Sequence, residues 1–446
     1  MNSGRRVVVT GLGVATPIGI GIEPFWDALI ERRCGIRRIE AFDPAGFPVR
    51  IAAELPPFQL GDYIPKSYRK SAKVMSRDIT IAVVCAYLAV RDAGLNTKCI
   101  IDRDEAVGEP NVDSTRFGAN IGAGLVCADL SELAAALNTA ADSPESFSLA
   151  RWGTEGMSNL TPLWLLKFLP NMLACHVTIV HDAQAPSNTI TCAEASSHLA
   201  LGEAYRTIAR GDADVCICGG AESKANPMAL TRPLLTGRLT TDGNDTPQSA
   251  CRPFADDRAG TVVGEGGGLL ILESLEHARR RNARIYAEIT GFAAASSCHH
   301  WSEPDPTGRP VAIALRNALS DAGISADAVQ LVGPVGVGTR HHDAAELAGW
   351  RGVFQDRLGA IPALTTRGSI GNCGAGAGAM DLAATVMAVN RSTVPPSLNA
   401  QQGGTAGGFR FTATDPIDAR ITNAVSLGFA LTGGQHAALV VTRYQE

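Results

Sequence analysis

Residues 188–202 read NTITCAEASSHLALG and pass from a strand-like run, through a turn of small residues, into a helical pattern. The helical part is well defined because Leu201, Tyr205 and Ile208 recur at positions i, i+4 and i+7 on one face. Glu194 therefore lies at or just before the N-terminus of a helix. A strand-to-helix turn of this kind is a common place for a catalytic nucleophile, and here it carries a glutamate.

The carboxylate at this turn has both a structural and a catalytic interpretation. The free N–H groups and the dipole of a helix N-terminus favour an anion by about 0.3–1 kcal/mol, which alone can explain Glu194. Cys192 lies at the end of the strand, before the turn, so we interpret it as a buried structural thiol rather than a nucleophile. Were Glu194 a general base, His341 and His342 would be the best-placed histidines, although a solvated loop also explains them.

Strand-like apolar runs alternate with helical patterns along the whole chain. This alternation predicts an α/β fold with buried sheets. The helical patterns include residues 196–211 and 311–323. The strand-like runs are residues 6–14, 114–124, 188–192, 213–220, 266–274, 284–293, 329–338 and 436–444.

The two halves of the chain repeat one order of features. Each half has a strand, a glycine-rich turn, a long helix and an apolar strand that ends in glycines, which indicates a duplicated unit. We place the N-terminal half at residues 1–260 and the C-terminal half at residues 261–446. Residues 42–115 resemble an irregular insertion in the first half, and residues 398–408 are predicted to form a surface loop.

Composition narrows the class of protein. Of 446 residues, 45% are hydrophobic and 19% are charged, so a large core is available. The formal net charge of −5 argues against nucleic acid or an anionic membrane as the main partner. We expect a cytoplasmic protein, because no signal peptide or membrane span is visible and the 11 cysteines form no disulfide framework.

Cofactor and metal motifs are weak. Residues 10–19, TGLGVATPIG, lack the full dinucleotide-binding fingerprint and the acidic residue that follows it. Cys298, His299 and His300 are adjacent, but no second pair of ligands stands at zinc-like spacing. We therefore predict no metal and no cofactor.

Long stretches of the sequence resemble the β-ketoacyl-acyl carrier protein synthase family. The similarity is collinear over nearly the whole chain. It implies the thiolase fold, a duplicated five-layer αβαβα architecture that works as a dimer. The matching stretches include residues 161–180, 185–223 and 251–292, where the last begins CRPFADDRAGTVVGEGGG.

The resemblance also indicates which residues should be catalytic, and all of them are replaced. Counted back from GDADV, the nucleophilic cysteine of the family falls on Glu194. The motif of the first histidine corresponds to GPVGVGT, which puts Val335 in its place, and the lysine and second histidine correspond to Arg367 and Asn372. Loss of one oxyanion donor alone costs about 2.7–4 kcal/mol, so we predict that this chain cannot catalyse condensation.

One branch of the family has lost its nucleophile in this way, namely the chain-length factor of type II polyketide synthases. That resemblance implies a heterodimer with a catalytic ketosynthase, a shared tunnel that limits chain growth, and an acyl carrier protein as a further partner. Members of the branch usually carry glutamine at the position of Glu194. The alternatives are a malonyl-acyl carrier protein decarboxylase, a homodimeric carrier-binding scaffold, and a thiolase-fold enzyme that uses Glu194 as a base.

The same resemblance suggests which residues form the tunnel. In chain-length factors these residues come from an interface helix, which corresponds to residues 121–137 here. Our candidates are Leu125, Ala128 and Asp129, although dimer packing explains each of them equally well. Small side chains in this segment suggest space for a long chain.

The last motif concerns the gate of the acyl pocket. Catalytic members read G-F-G-G-x-N, where the phenylalanine is the gate, whereas residues 426–441 here read SLGFALTGGQHAALVV. A gapless match to GGQH places Thr432 at the gate, and a match to GF places Phe429 there. We prefer Thr432, and either alignment predicts an altered gate.

Overall fold

The computed structural model describes residues 4–400 and 408–445. The predicted loop at 398–408 thus falls largely outside the described residues. The strands are β1 (Val7–Thr16), β2 (Gly19–Ile20), β3 (Ile36–Arg38), β4 (Ile51–Ala53), β5 (Phe117–Ala123), β6 (Asn188–Ile190), β7 (Val215–Ser223), β8 (Glu265–Ser274), β9 (Ala287–Ser296), β10 (Leu331–Gly333), β11 (Thr393–Val394), β12 (Ile417–Asp418), β13 (Asn423–Phe429) and β14 (Gln435–Thr442). The α-helices are α1 (Ile22–Ile30), α2 (Arg77–Asp92), α3 (Lys98–Asp102), α4 (Leu130–Ala140), α5 (Leu149–Thr154), α6 (Met172–His181), α7 (Ser196–Ala209), α8 (Pro227–Leu235), α9 (Leu275–Arg280), α10 (Arg309–Asp321), α11 (Arg340–Phe354), α12 (Arg367–Ile370) and α13 (Ala377–Arg391).

The main sheet contains the same pattern of strands twice. In the first half, β5 is parallel to β6 and β7, and then β7, β8 and β1 are successively antiparallel. In the second half, β10 is parallel to β13, and then β13, β14 and β9 are successively antiparallel. The start of β1 pairs with β9 and joins the two halves. The repeated pattern confirms the predicted duplication.

Helices form three layers around these strands. Helices α7 and α13 contact strands of both halves and form the middle layer. Nearly all of α13 is buried, as a helix enclosed on every side requires. Helices α2 and α6 cover the first half, and α10 with α11 covers the second. This is the predicted five-layer αβαβα arrangement of the thiolase fold.

Three sequence predictions about segments need correction. Strand β8 pairs with both β7 and β1, so the strands of the first half continue to Ser274, beyond the predicted boundary at residue 260. Residues 42–115 are not irregular throughout, because they include α2, whose buried side chains pack on β1, β7 and β8. Strand β13 was not among the predicted strands, because its glycine-containing sequence NAVSLGF has few strand signals.

The predicted interface helix also begins later than expected. Helix α4 starts at Leu130, with Asp129 at its N-cap position. Leu125, Ala128 and Asp129 therefore lie in the non-helical segment between β5 and α4. Within the described residues, no helix is both long and apolar enough to cross a lipid bilayer.

Candidate functional site

The chain turns sharply between β6 and α7, and this turn presents Glu194. Ala193 has a φ of 47°, a left-handed conformation that non-glycine residues rarely adopt. The turn is held closed because the Cys192 N–H donates to the Ser196 hydroxyl over 2.8 Å and the Ala195 N–H donates to the Cys192 carbonyl over 3.1 Å. As predicted, Glu194 lies immediately before the N-terminus of α7.

The Glu194 carboxylate is buried, with 4% exposure, and three distant segments supply its partners. The Lys224 ammonium donates to Oε1 over 3.2 Å, and the Asn372 side-chain amide donates to the same oxygen over 3.1 Å. The Leu431 backbone N–H donates to Oε2 over 3.0 Å. Both carboxylate oxygens are therefore occupied by donors from the protein itself.

These partners keep Glu194 negatively charged. Burial raises the pKa of the carboxyl group, but the Lys224 charge and the donors Leu431 and Asn372 outweigh it and lower the pKa to about 2. An efficient general base has a pKa close to the working pH, and its lone pairs are free to accept a proton from substrate. Glu194 has neither property, so the geometry favours a structural anion.

Lys224 is the main residue that sequence reasoning missed. It follows directly after β7, and its side chain is 18% exposed. Burial lowers the pKa of Lys224, but Glu222 and Glu194 more than compensate, so the pKa is raised and the ammonium remains charged. Gly374 lies so close to Glu222 and Lys224 that a side chain there would collide with both. The only sequence signal was a lysine two residues after Glu222, directly beyond an apolar strand-like run.

Of the positions where the resemblance places histidines, only Asn372 reaches Glu194. Val335 is buried in an apolar cluster that includes Phe254 and Trp350, and it does not line the cavity beside Glu194. Its backbone N–H donates to Glu346 over 2.7 Å. Neither an imidazole nor another side-chain donor extends from position 335.

Arg367, where the resemblance places the family's lysine, forms a buried ion pair with Asp381. Its Nη1 lies 3.1 Å from the Asp381 Oδ1 atom, and the Thr366 hydroxyl donates to the same oxygen over 2.6 Å. Arg367 and Asp381 are 1% and 7% exposed, and neither lines the cavity beside Glu194. The pair therefore serves the packing of this segment.

A cavity of about 550 Å³ opens beside Glu194. Its wall combines five charged side chains with apolar ones. The residues that line it include Leu125, Pro170, Glu194, Glu222, Lys224, Arg232, Arg238, Thr261, Val263, Trp301, Asn372, Leu431 and Thr432. Leu125 is thus the tunnel candidate that reaches this cavity, whereas Asp129 lines a separate one of about 490 Å³ and Ala128 lines neither of the two.

The two gate candidates occupy different environments. Thr432 lines the cavity. Phe429 is 2% exposed at the end of β13, opposite His436, and its ring packs edge-on against His342. Leu431, which neither alignment selected, is the residue whose backbone reaches Glu194. Because Thr432 lines the cavity and Phe429 does not, Thr432 is the better candidate for the gate.

His342 contacts the same loop, between β13 and β14, through the backbone of Leu431. It is 5% exposed, its Nε2 donates to the Leu431 carbonyl over 3.3 Å, and its Nδ1 accepts from the Thr339 hydroxyl over 2.9 Å. Burial lowers the pKa of His342 to about 4, so the ring is neutral near pH 7. His341, in contrast, is exposed and lies near Glu303. His342 is not on the solvated face that one interpretation of the sequence assigned to it.

The cysteine candidates offer no activated thiol here. Cys192 is half-buried and does not line the cavity, and burial raises its pKa. Cys298, His299 and His300 lie in an exposed stretch after β9. Within the described parts of the chain, no three side chains of the metal-binding types form a group that could hold a metal ion.

The chain matches two family models that together span most of its length. The family model "Beta-ketoacyl synthase, N-terminal domain" matches residues 4–278, and "Beta-ketoacyl synthase, C-terminal domain" matches residues 286–401. A protein of Coxiella burnetii named 3-oxoacyl-(acyl-carrier-protein) synthase 2 is 30% identical over 441 residues, which cover 98% of this chain and 99% of that protein.

Two solved structures illustrate the structural similarity. The first is a type II PKS acyl-carrier protein in complex with its ketosynthase bound to the hexaketide (AntDE:AntF), with a TM-score of 0.81 and 26% identity over 99% of this chain and 100% of the matched chain. The second is the ishigamide ketosynthase/chain length factor, with a TM-score of 0.82 and 27% identity over the same shares of the two chains.

Proposed function

The chain belongs to the beta-ketoacyl synthase family, and we propose that within it this protein is a non-catalytic chain-length factor that pairs with a cysteine-bearing ketosynthase. The observation that carries the proposal is the state of Glu194. Where the resemblance places the family's nucleophile, the chain holds a buried carboxylate that is ion-paired to Lys224 and accepts hydrogen bonds on both oxygens.

Such a site is unsuited to condensation. The family's reaction needs a thiolate that takes up the acyl group as a thioester, and a carboxylate cannot replace it without an activated donor. It also needs donors for the enolate that forms when the extender unit loses carbon dioxide. Val335 offers no such donor, and the amide of Asn372 already donates to Glu194. A relative that matches over nearly its full length is named as a synthase. The support for a non-catalytic role therefore comes from the substitutions in this chain and not from the name of that relative.

An apolar surface supports the proposed pairing. Strand β6 lies at the free edge of the main sheet, and exposed large apolar side chains are concentrated in the segment that precedes it. A free edge and a large apolar patch favour association with another chain. We define the apolar segment by its exposed members Leu125, Leu130, Leu137, Phe147, Leu149, Met157, Leu163, Leu165 and Ile179.

Leu125 connects this surface with the cavity. It is 63% exposed, belongs to the apolar segment and also lines the cavity beside Glu194. A partner seated on the apolar segment would therefore cover the mouth of the cavity and extend the enclosed space. We propose that this shared space limits the length of the acyl chain that grows on the partner, with substrates delivered by an acyl carrier protein.

Activity assays of the separate and combined subunits test the proposal. The purified chain should form no ketoacyl product from acyl- and malonyl-carrier protein. Together with its ketosynthase, it should change the length of the products that the ketosynthase makes. Release of carbon dioxide from malonyl-carrier protein by this chain alone, abolished in Glu194→Ala, would instead favour the decarboxylase alternative.

A further inference from the structure

Arg238 is a buried cation in the wall of the cavity beside Glu194. The residue is 9% exposed, and its Nη2 donates to the Ser302 carbonyl over 2.7 Å. Among the residues that the structure describes, no carboxylate oxygen lies within 4.0 Å of an Arg238 nitrogen, the distance that defines an ion pair. Burial lowers the pKa of Arg238, and the charges of Glu194 and Glu303 offset this effect only in part. An anion in direct contact would therefore stabilise the guanidinium further.

The carboxylates of the cavity are committed elsewhere. Glu194 accepts hydrogen bonds from Lys224, Asn372 and Leu431. Glu222 accepts from the Ala375 N–H over 2.6 Å, and its charge acts on Lys224. Neither glutamate is placed as the ion-pair partner of Arg238. The remaining N–H groups of the Arg238 guanidinium are therefore available to a ligand.

Two further groups of the wall lack strong partners. The Thr261 hydroxyl is fully buried and forms no hydrogen bond with any residue that the structure describes. Arg232 is exposed at the rim, where it donates to the Leu125 carbonyl over 3.3 Å. Together with Arg238, these groups provide unused hydrogen-bond donors in the wall of one cavity. The wall also carries a net positive charge, because it contains three cations, Lys224, Arg232 and Arg238, and the two carboxylates of Glu194 and Glu222.

We propose that this cavity binds a short aliphatic carboxylate, with the carboxylate on Arg238 and the hydrocarbon against the apolar wall. The guanidinium presents parallel N–H groups that match the two oxygens of a carboxylate. Leu125, Pro170, Val263 and Trp301 supply apolar surface in the same cavity. This is the cavity whose mouth the proposed partner would cover, but the inference concerns binding of a small ligand to this chain alone and is tested without the partner.

Titration calorimetry with hexanoate tests the proposal on the full-length protein, in the assembly that purification yields. We expect hexanoate to bind saturably and at least tenfold more tightly than 1-hexanol, which has the same chain but no charge. Arg238→Gln should weaken hexanoate binding at least tenfold, and Arg238→Lys, which keeps the charge but loses the paired donors, should give an intermediate loss. Thr261→Val should weaken binding two- to fivefold.

The matched control is Arg316→Gln. Arg316 is an exposed arginine on α10, outside the cavity, and its Nη2 donates to a backbone carbonyl, as Nη2 of Arg238 does. This variant should bind hexanoate as the wild type does. Thermal melting of each variant checks that it is folded.

Three results would overturn the proposal. They are equal binding of hexanoate and 1-hexanol by the wild type, unchanged hexanoate binding by folded Arg238→Gln, and tighter binding of inorganic phosphate than of hexanoate. The comparison of the two ligands uses the wild type alone, so it remains decisive even when a variant does not fold. Because no condensation or pairing is measured, failure here leaves the chain-length proposal standing, and the reverse also holds.

Discussion

The ammonium nitrogen of Lys224 lies 3.2 Å from Oε1 of Glu194, in an ion pair whose members are 18% and 4% exposed. The pair explains how a charged side chain can occupy the buried position where the resemblance places a cysteine. Lys224 offsets the charge of the glutamate, and Asn372 and Leu431 donate one further hydrogen bond each to its oxygens. The same ammonium also faces Glu222, so one cation serves two buried carboxylates.

We predict that the two members of this pair are strongly coupled in stability. Lys224→Met should reduce the free energy of unfolding by about 3–5 kcal/mol, because it leaves the Glu194 charge buried without a cation. The double variant Glu194→Gln/Lys224→Met should lose much less than the sum of the two single variants. Urea unfolding of the four proteins measures the coupling.

Lys167→Met is the control for that cycle. Lys167 pairs with Glu132 near the surface, where the two side chains are 21% and 26% exposed. Such a pair contributes about 0–1 kcal/mol, so this variant should be close to the wild type in stability. Equal losses for Lys224→Met and Lys167→Met would contradict a special role for the buried pair.

The stabilising effect of Glu194 should depend on pH. Its pKa is lowered to about 2 in the folded protein, below the ordinary value of 4.5. A carboxyl group with a lowered folded pKa stabilises the protein above its unfolded pKa, and this contribution disappears as the pH falls towards the folded pKa. This contribution amounts to about 3 kcal/mol for a shift of this size.

The comparison of wild type with Glu194→Gln isolates this effect. The wild type should lose stability relative to the variant as the pH is lowered from about 5 to about 3, and the difference between the two should be constant above pH 6. Urea unfolding at each pH gives the two curves. A difference that does not change between pH 3 and pH 7 would show that Glu194 is not held as a stabilised anion.

Restoring the nucleophile alone should not restore condensation. In Glu194→Cys the thiol is present, but Val335 and Asn372 still supply no imidazole. Each missing oxyanion donor costs about 10²–10³ in rate, so the product should stay below detection. The assay measures ketoacyl product from acyl- and malonyl-carrier protein. The variant Glu194→Cys/Val335→His/Asn372→His is the comparison, and condensation by the single variant would contradict the prediction.

Charged substitutions in the apolar segment should weaken pairing with the ketosynthase. Leu149 and Leu163 are 78% and 66% exposed, so replacing either by glutamate should leave the fold intact but place a charge in the interface. We expect at least a tenfold loss of affinity, or about 1.4 kcal/mol. Val107→Glu is the control, because Val107 is fully exposed and lies outside the segment. Equal affinities for all variants would place the interface elsewhere.

Substitutions in the segment between β5 and α4 should change the length of the product. Ala128→Phe adds a large side chain to a half-buried position two residues before the start of α4, and we expect the partner ketosynthase to make shorter products. Mass analysis of the products measures this. Asp129→Asn, which conserves size, should leave the length unchanged. An unaltered product length in Ala128→Phe would remove this residue from the tunnel.

Local sequence patterns predicted the parts of the site that depend on local structure. The period of apolar residues placed α7 correctly, and the small residues before it placed Glu194 at the helix N-terminus. The contact between Glu194 and Lys224 was not predictable in this way. It depends on the pairing of β7 with β5 and of β5 with β6, which brings the ends of two distant strands to the same edge of the sheet.

The other differences between the sequence predictions and the structure also arise because contacts between distant segments leave little trace in the local sequence. Leu431 reaches Glu194 through its backbone N–H, so its side chain type carried no signal. His342 looked like a loop residue, but the β13–β14 connection folds over it and buries it. The start of α4 was misplaced because the apolar residues before Asp129 continue the helical pattern although the chain there is not helical.

The most direct test of the central claim is the composition of the assembly that this chain forms in its native host. The tagged protein is purified gently, and native mass spectrometry determines its partners and their stoichiometry. We predict a one-to-one complex with a ketosynthase that retains the cysteine and both histidines. Recovery of a homodimer without such a subunit would contradict the chain-length-factor role.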